Sequence, residues 1–294
     1  VGLTSFFKYL EFEKRVSRHT LMAYRNDLSQ FGEFLHNNFE TDDLLRVDYG
    51  MVRSWIIHLM ESGVQPSSIN RKMAALRTFY KFLLREQIIE KNPMQKVRAL
   101  KTGKRLPAFV QENEMNHLLD HFSFADNFEG LRDLLVLELL YATGMRLSEL
   151  IGLRDNHVNL SGCQLKVLGK RNKERIIPFP RQLVYVIESY LHERNKLFGK
   201  PEHGHLLVTN KGEACYPMFV YRIVQRYLSL YTTTPKRSPH TLRHTYATHL
   251  LNRGAEINAV KDLLGHSNLA ATQVYTHNSV EKLKKLYDQA HPKA

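Results

Sequence analysis

Six residues from the middle of this 294-residue chain onward have the right types to grip a phosphate and move protons around it: Arg146, Lys170, His240, Arg243, His266 and Tyr275. They stand in four strings, ATGMRLSEL (142–150), LGKRNKERIIP (168–178), SPHTLRHTYATHLL (238–251) and LLGHSNLAATQVYTH (263–277). A phosphodiester under nucleophilic attack gathers negative charge on its non-bridging oxygens. Fixed cationic donors aimed at those oxygens are the largest stabilisation a protein can supply. Arginine serves better than lysine, because its planar fork donates two hydrogen bonds and stays charged, so Arg146 and Arg243 are candidate clamps. His266 can bind the same phosphate or hold a partner. Lys170 can hand a proton to a leaving oxygen. A phenol with a pKa of about 10 is a poor nucleophile at neutral pH. Arginines that favour the phenolate and a histidine that takes its proton would make Tyr275 one.

The elements around these residues show how they would be positioned. In SPHTLRH, Ser238 fits the cap of a helix and Pro239 its first turn, which puts His240 and Arg243 three residues apart on one face. A helix start also favours a bound phosphate. The helix should end near Asn252, with Gly254 as its terminator. His240 and His244 also form an HxxxH pair, but the zinc-protease form needs Glu after the first His and this chain has Thr241. No metal and no cofactor are therefore expected. Residues 157–180 alternate between apolar and turn-forming stretches, predicting a three-stranded antiparallel sheet with Lys170 in its second turn. Lys173, in the same turn, is the fallback for Lys170. His266 follows Gly265 at the end of an apolar helix, 257–264. Glu149, three residues after Arg146, either orients an arginine or a histidine or simply opens a helix.

The first part of the chain reads as four helices: 5–15, one after Ser17, one after Asp48 ending near Gly63, and one from Ser67 or Ser68. Short connections make these a small bundle. Residues 92–107 carry proline near each end, five basic residues and no acidic one. They read as a linker, either following a phosphate backbone or merely solvated. The predicted organisation is 1–91, a linker over 92–107, and 108–294. The fold class is mainly α with a small antiparallel sheet.

A net charge of +13, with both parts basic, points to a polyanionic partner. Two cysteines, Cys163 and Cys215, are too few for a disulfide framework or a four-ligand zinc site. They fit reduced thiols in a cytoplasmic protein. No apolar run is long enough to cross a membrane, and LLVLELLYA (134–142) reads as a buried helix.

The four strings, in this order and spacing, resemble those of the tyrosine recombinases, or phage integrase family. Within it they are most similar to the bacterial Xer type, XerC- or XerD-like, and the resemblance covers the whole chain. It implies an N-terminal core-binding, SAM-like domain of four helices that clamps DNA, and a C-terminal catalytic domain. It implies that Tyr275 attacks a phosphodiester to give a 3′-phosphotyrosine and a 5′-hydroxyl. His240 would take the tyrosine proton and Lys170 would match the catalytic lysine of the β-turn. A 5′-hydroxyl of the partner strand then reseals the DNA without metal or ATP. For the Xer type the substrate is a short, roughly palindromic, dif-like site. The assembly is a homo- or heterotetramer with a related subunit, a DNA translocase (FtsK-like) is a possible activator, and the role is resolving chromosome dimers at cell division. A phage or mobile-element integrase shares the chemistry, and a non-catalytic DNA-binding protein would have lost residues that are present here. Arg18, His19, Arg25, Arg71, Lys72, Arg171 and Lys173 are candidate DNA contacts, although such charges are often only solvated. In the tail, Val280, Leu283, Leu286, Tyr287 and Ala290 form one apolar stripe. It packs on its own domain or, as the resemblance implies, is a docking helix for a neighbouring subunit.

Overall fold

The computed structural model describes residues 2–103, 108–169, 174–265, 287 and 289–293, and divides into two units, Val1–Arg105 and Leu106–Ala294. The first unit is four helices: α1 (Gly2–Lys8), α2 (Arg18–Phe39), α3 (Tyr49–Glu61) and α4 (Pro66–Arg85). The single helix expected over 5–15 begins earlier, at Gly2, and widens into a π-helical turn over Tyr9–Glu13. Side chains start the next two: Ser17 Oγ accepts the Thr20 N–H at 3.2 Å, and Asp48 Oδ1 accepts that of Met51 at 2.8 Å. Helix α4 starts before Ser67 because Pro66, with its fixed φ and no N–H to waste, takes the first turn.

The residues placed inward by helical spacing form the core, where Phe31, Leu35, Trp55, Ile69, Met73, Leu76, Phe79, Tyr80 and Leu83 are buried. Truncating an aromatic such as Trp55 would cost about 3–5 kcal/mol. Part of the expected linker belongs to this unit. Met94 is buried in its core, and Asn70 pairs with the Leu100 backbone in both directions, at 2.8 and 3.0 Å. Arg77 donates to the Val97 carbonyl at 3.2 Å. Residues 92–100 are therefore tied to the bundle rather than free. The basic pattern concealed Met94, Val97 and Leu100, which are the residues that anchor it.

The second unit is built around α6 (Phe128–Thr143), which is buried almost all round. Helices α8 (Gln182–Phe198), α9 (Pro217–Tyr231) and α10 (Pro239–Asn252) pack on it. The shorter α5 (Glu112–Asn116), which runs on into a π-helical turn over His117–His121, α7 (Leu147–Ile151) and α11 (Ile257–Leu264) also belong to this unit. The sheet is β1 (Val158–Asn159), β2 (Gln164–Leu168) and β3 (Glu174–Pro178), antiparallel in the order β1-β2-β3. Leu165 pairs with Ile177 and Val167 with Arg175, and all four are buried on one face. Residues 205–214 fold back on themselves through a turn at 210–211, with isolated bridges pairing Arg154 with His205 and Val208 with Ala214.

The end of the chain packs on its own unit. Tyr287 and Ala290 are buried with Tyr246, Leu250, Val260, Leu263 and Leu264. His291 stacks on Tyr287 at 4.7 Å and lies 3.3 Å from the Tyr141 carbonyl oxygen, and burial lowers its pKa to about 3, so it stays neutral. Lys293 reaches Asp120, and Glu138 at 3.5 Å. Of the apolar stripe, Tyr287 and Ala290 thus pack on their own unit, the first of the two readings open to it. Val280, Leu283 and Leu286 lie outside the described residues. No helix among the described residues is long and apolar enough to cross a membrane.

Candidate active site

Two glycines let the site form. Gly144 ends α6 with φ +59°, and a Cβ there would meet the Tyr246 ring at 2.3 Å. Only glycine lets the chain turn this closely against α10. Gly265 ends α11 with φ +63° and lies against the Arg175 side chain. Between these helix ends sit the arginines. Arg243, buried on α10, donates to the Gly144 carbonyl at 2.6 Å and to the Leu264 carbonyl at 2.7 Å. Both acceptors are helix C-termini, where the backbone dipoles favour a cation. Arg146 donates to the Gly265 carbonyl at 3.0 Å and to Glu149 at 2.8 Å.

Glu149 is the hub. Its carboxylate also accepts the Arg146 backbone N–H at 2.7 Å and both ends of the Arg175 fork, at 2.5 and 2.9 Å. Of the roles open to it, Glu149 orients arginines. Burial pushes its carboxyl up, but the hydrogen bonds and charges of Arg175 and Arg146 outweigh this and hold it below its ordinary value. Arg243 is lowered to about 10, by burial first and then by the charges of Arg146 and Arg175. It remains charged at neutral pH. Three guanidiniums thus face one carboxylate, a positive excess suited to an anion.

In the sequence Arg175 is one of several basic residues beside the second turn of the sheet, and nothing in its composition singles it out. Its signal was the strand period: it lies two residues before the buried Ile177, on the inward face of β3. An arginine at a core position needs a buried partner, and Glu149 supplies it.

His240 stands in the first turn of α10, where Ser238 Oγ accepts the Thr241 N–H at 3.2 Å, as expected. It is exposed whereas Arg243 is buried, and its Nε2 lies 3.1 Å from that of His244. The structure therefore brings together Arg146, Arg243, Glu149, Arg175 and the Gly265 that precedes His266. Lys170, Arg171, Lys173, His266 and Tyr275 lie outside the described residues. Burial pushes the phenols of Tyr80, Tyr141, Tyr190 and Tyr246 up, away from the phenolate a nucleophile needs. Among the described residues no group of three or more His, Cys, Asp or Glu is placed to hold a metal.

On the first unit, Arg18, His19 and Arg25 are exposed, and the Arg25 guanidinium lies 4.8 Å from the Phe7 ring. Lys72 does not fit a DNA contact. It is buried, bonded to Asp27 at 3.2 Å and to Gln30. Arg71 holds Asp27 with both ends of its fork and is about half exposed. The buried Asp27 needs these cations, a demand that surface-charge patterns on α4 do not reveal.

The phage integrase family model matches residues 108–282, and the phage integrase N-terminal SAM-like domain matches residues 3–87. The chain belongs to the phage integrase family. Like its relatives, this integrase-family protein is a site-specific tyrosine recombinase. It is 39% identical to tyrosine recombinase XerC of Chlorobaculum tepidum, over 99% of this chain and 94% of that one. It is 36% identical to tyrosine recombinase XerD of Halalkalibacterium halodurans, over 100% and 98%. The recombinase is also similar in fold to XerH bound to a palindromic difH substrate after cleavage. The TM-score is 0.72 at 21% identity, covering 90% of this chain and 78% of that one.

Proposed function

We propose that this recombinase cuts and rejoins DNA through a 3′-phosphotyrosine on Tyr275, at a short, roughly palindromic site. The observation that carries this is the arginine cluster. Arg146 and Arg243 are held at two helix C-termini, outnumber their single carboxylate together with Arg175, and lie at the segment that leads to His266 and Tyr275. Such preorganised donors stabilise charge that develops in the transition state and need no reorganisation as it forms. In this scheme Arg146 and Arg243 hold the non-bridging oxygens, and His266 binds the same phosphate. His240 takes the Tyr275 proton and Lys170 protonates the departing 5′-oxygen. The equivalent 5′-hydroxyl of the partner strand then attacks the phosphotyrosine, and the Tyr275 oxygen leaves with a proton returned by His240 as the phosphodiester is restored. Bond energy is conserved, so the scheme requires no ATP.

The biological setting we propose is resolution of chromosome dimers at cell division. The recombinase would work in the cytoplasm as a tetramer of like or related subunits, with a DNA translocase as activator. The XerC and XerD relatives support this over a mobile-element role. Exchange of C-terminal segments between subunits would require Tyr287 and Ala290 to leave their own core.

Trapping the covalent protein–DNA adduct on nicked duplexes and sequencing the attached DNA tests chemistry and target together. Tyr275→Phe should abolish the adduct and leave DNA binding nearly unchanged. Adduct persisting in that variant places the nucleophile elsewhere, and attached DNA mapping to mobile-element ends replaces the chromosomal role.

A further inference from the structure

We infer that His244 is a positioning residue for His240, fixing which nitrogen of the His240 ring carries the hydrogen. The inference rests on His240 being the base that takes the Tyr275 proton. The two rings lie one helical turn apart on α10, with centroids 4.4 Å apart, planes at 68°, and the Nε2 atoms 3.1 Å apart. At that distance two ring nitrogens share one hydrogen: one donates it and the other offers a lone pair. Two lone pairs or two N–H groups facing each other would repel, so the tautomers of the two rings are coupled.

The direction of the bond follows from the chemistry. A base needs a free lone pair. With Nε2 of His240 engaged by His244, only Nδ1 of His240 can accept a proton while the contact survives. His240 must then carry its hydrogen on Nε2 and donate it to the His244 Nε2, and His244 must carry its own hydrogen on Nδ1. Proton transfer from the tyrosine oxygen to His240 Nδ1 gives an imidazolium whose Nε2–H still donates to His244. No atom in the pair has to move.

His244 is fit to remain the neutral acceptor. It is half-buried, and burial first, then the charges of His240, Arg243 and Lys236, lower its proton affinity. The same cations, Arg243 and Lys236, oppose a metal ion bridging the two rings. His244 is no partner in the hydrogen bonds that Arg243 makes to Gly144 and Leu264, so changing it leaves those bonds in place.

The test uses the full chain, ring ¹⁵N spectra, and single-turnover cleavage of a nicked duplex carrying the site recovered from the trapped adduct. In the wild-type protein His244 should be the Nδ1–H tautomer, the less common form of free histidine. In His240→Ala it should revert to mainly Nε2–H. His244→Leu should cleave about 10-fold more slowly, a fraction of what a general base contributes, with half-site binding unchanged. His244→Gln, which keeps an acceptor within reach, should recover most of the rate. His244 in the Nε2–H form in the wild type, or wild-type cleavage by His244→Leu, overturns the inference. Wild-type cleavage by His240→Ala would overturn instead the assignment of His240 as base. A slow His240→Ala beside a normal His244→Leu overturns only the role of His244.

Discussion

Replacing Glu149 by Gln keeps the shape of the arginine hub and removes its charge. The carboxylate accepts four hydrogen bonds, from the Arg146 backbone and side chain and from both ends of the Arg175 fork, and is 1% exposed. A glutamine amide has one acceptor oxygen, and its NH₂ must face an N–H group of Arg146 or Arg175. At least two charge-assisted bonds are lost, and Arg175 is left buried without a counter-charge. Removing one partner of a buried ion pair costs about 3–5 kcal/mol. For a unit of this size that lowers Tm by about 6–20 °C, at about 2–4 °C per kcal/mol. The sign with pH follows from the carboxyl being held below its ordinary 4.5. Its stabilisation is fully present above that ordinary value and is lost as pH falls through the lower, folded value. The gap between wild type and Glu149→Gln should therefore be full at pH 7, still present at pH 5, and shrink below about pH 4.5. Thermal denaturation followed by circular dichroism across this range measures it. A variant melting within 2 °C (roughly half a kcal/mol) of wild type at pH 7, or a gap that does not narrow in acid, would refute the counter-charge role of Glu149.

Arg146→Lys and Arg243→Lys should each slow single-turnover cleavage by about 10²-fold or more, because the charge survives but the fork does not. DNA binding by band shift should fall far less, and an equal fall in both would make these arginines ordinary phosphate anchors. Lys170→Ala should cleave slowly with a normal 5′-oxygen and regain much of its rate on a 5′-bridging phosphorothiolate, whose thiolate leaves without a proton; absence of rescue would remove Lys170 as the acid. Lys72→Met should destabilise the first unit by about 1–3 kcal/mol while leaving the salt dependence of DNA binding unchanged. Arg18→Ala should reduce that salt slope by about 1 if the exposed start of α2 meets a phosphate. A changed slope in Lys72→Met would return Lys72 to the DNA surface.

What the sequence determined by itself was local. Ser17, Asp48 and Ser238 start helices through their own side chains, and the helical spacing of Leu28, Phe31, Trp55 and Phe79 placed them in the core, because both rules act within a few residues. The strings around Arg146, His240 and Arg243 pointed to the chemistry in another way, through their resemblance to the tyrosine recombinases. Only the tertiary structure decided which charges are spoken for. Lys72 and Arg71 meet Asp27 from another helix, Arg175 meets Glu149 across 26 residues, and Arg243 meets carbonyls of Gly144 and Leu264 far along the chain. Likewise, Met94 and Leu100 sit in a stretch that reads as solvated, and Tyr287 in a stripe with two rival partners, until the surfaces they cover are assembled. A charged side chain carries the same pattern in sequence whether it faces water or a buried carboxylate. Its desolvation and its partner exist only once distant segments meet.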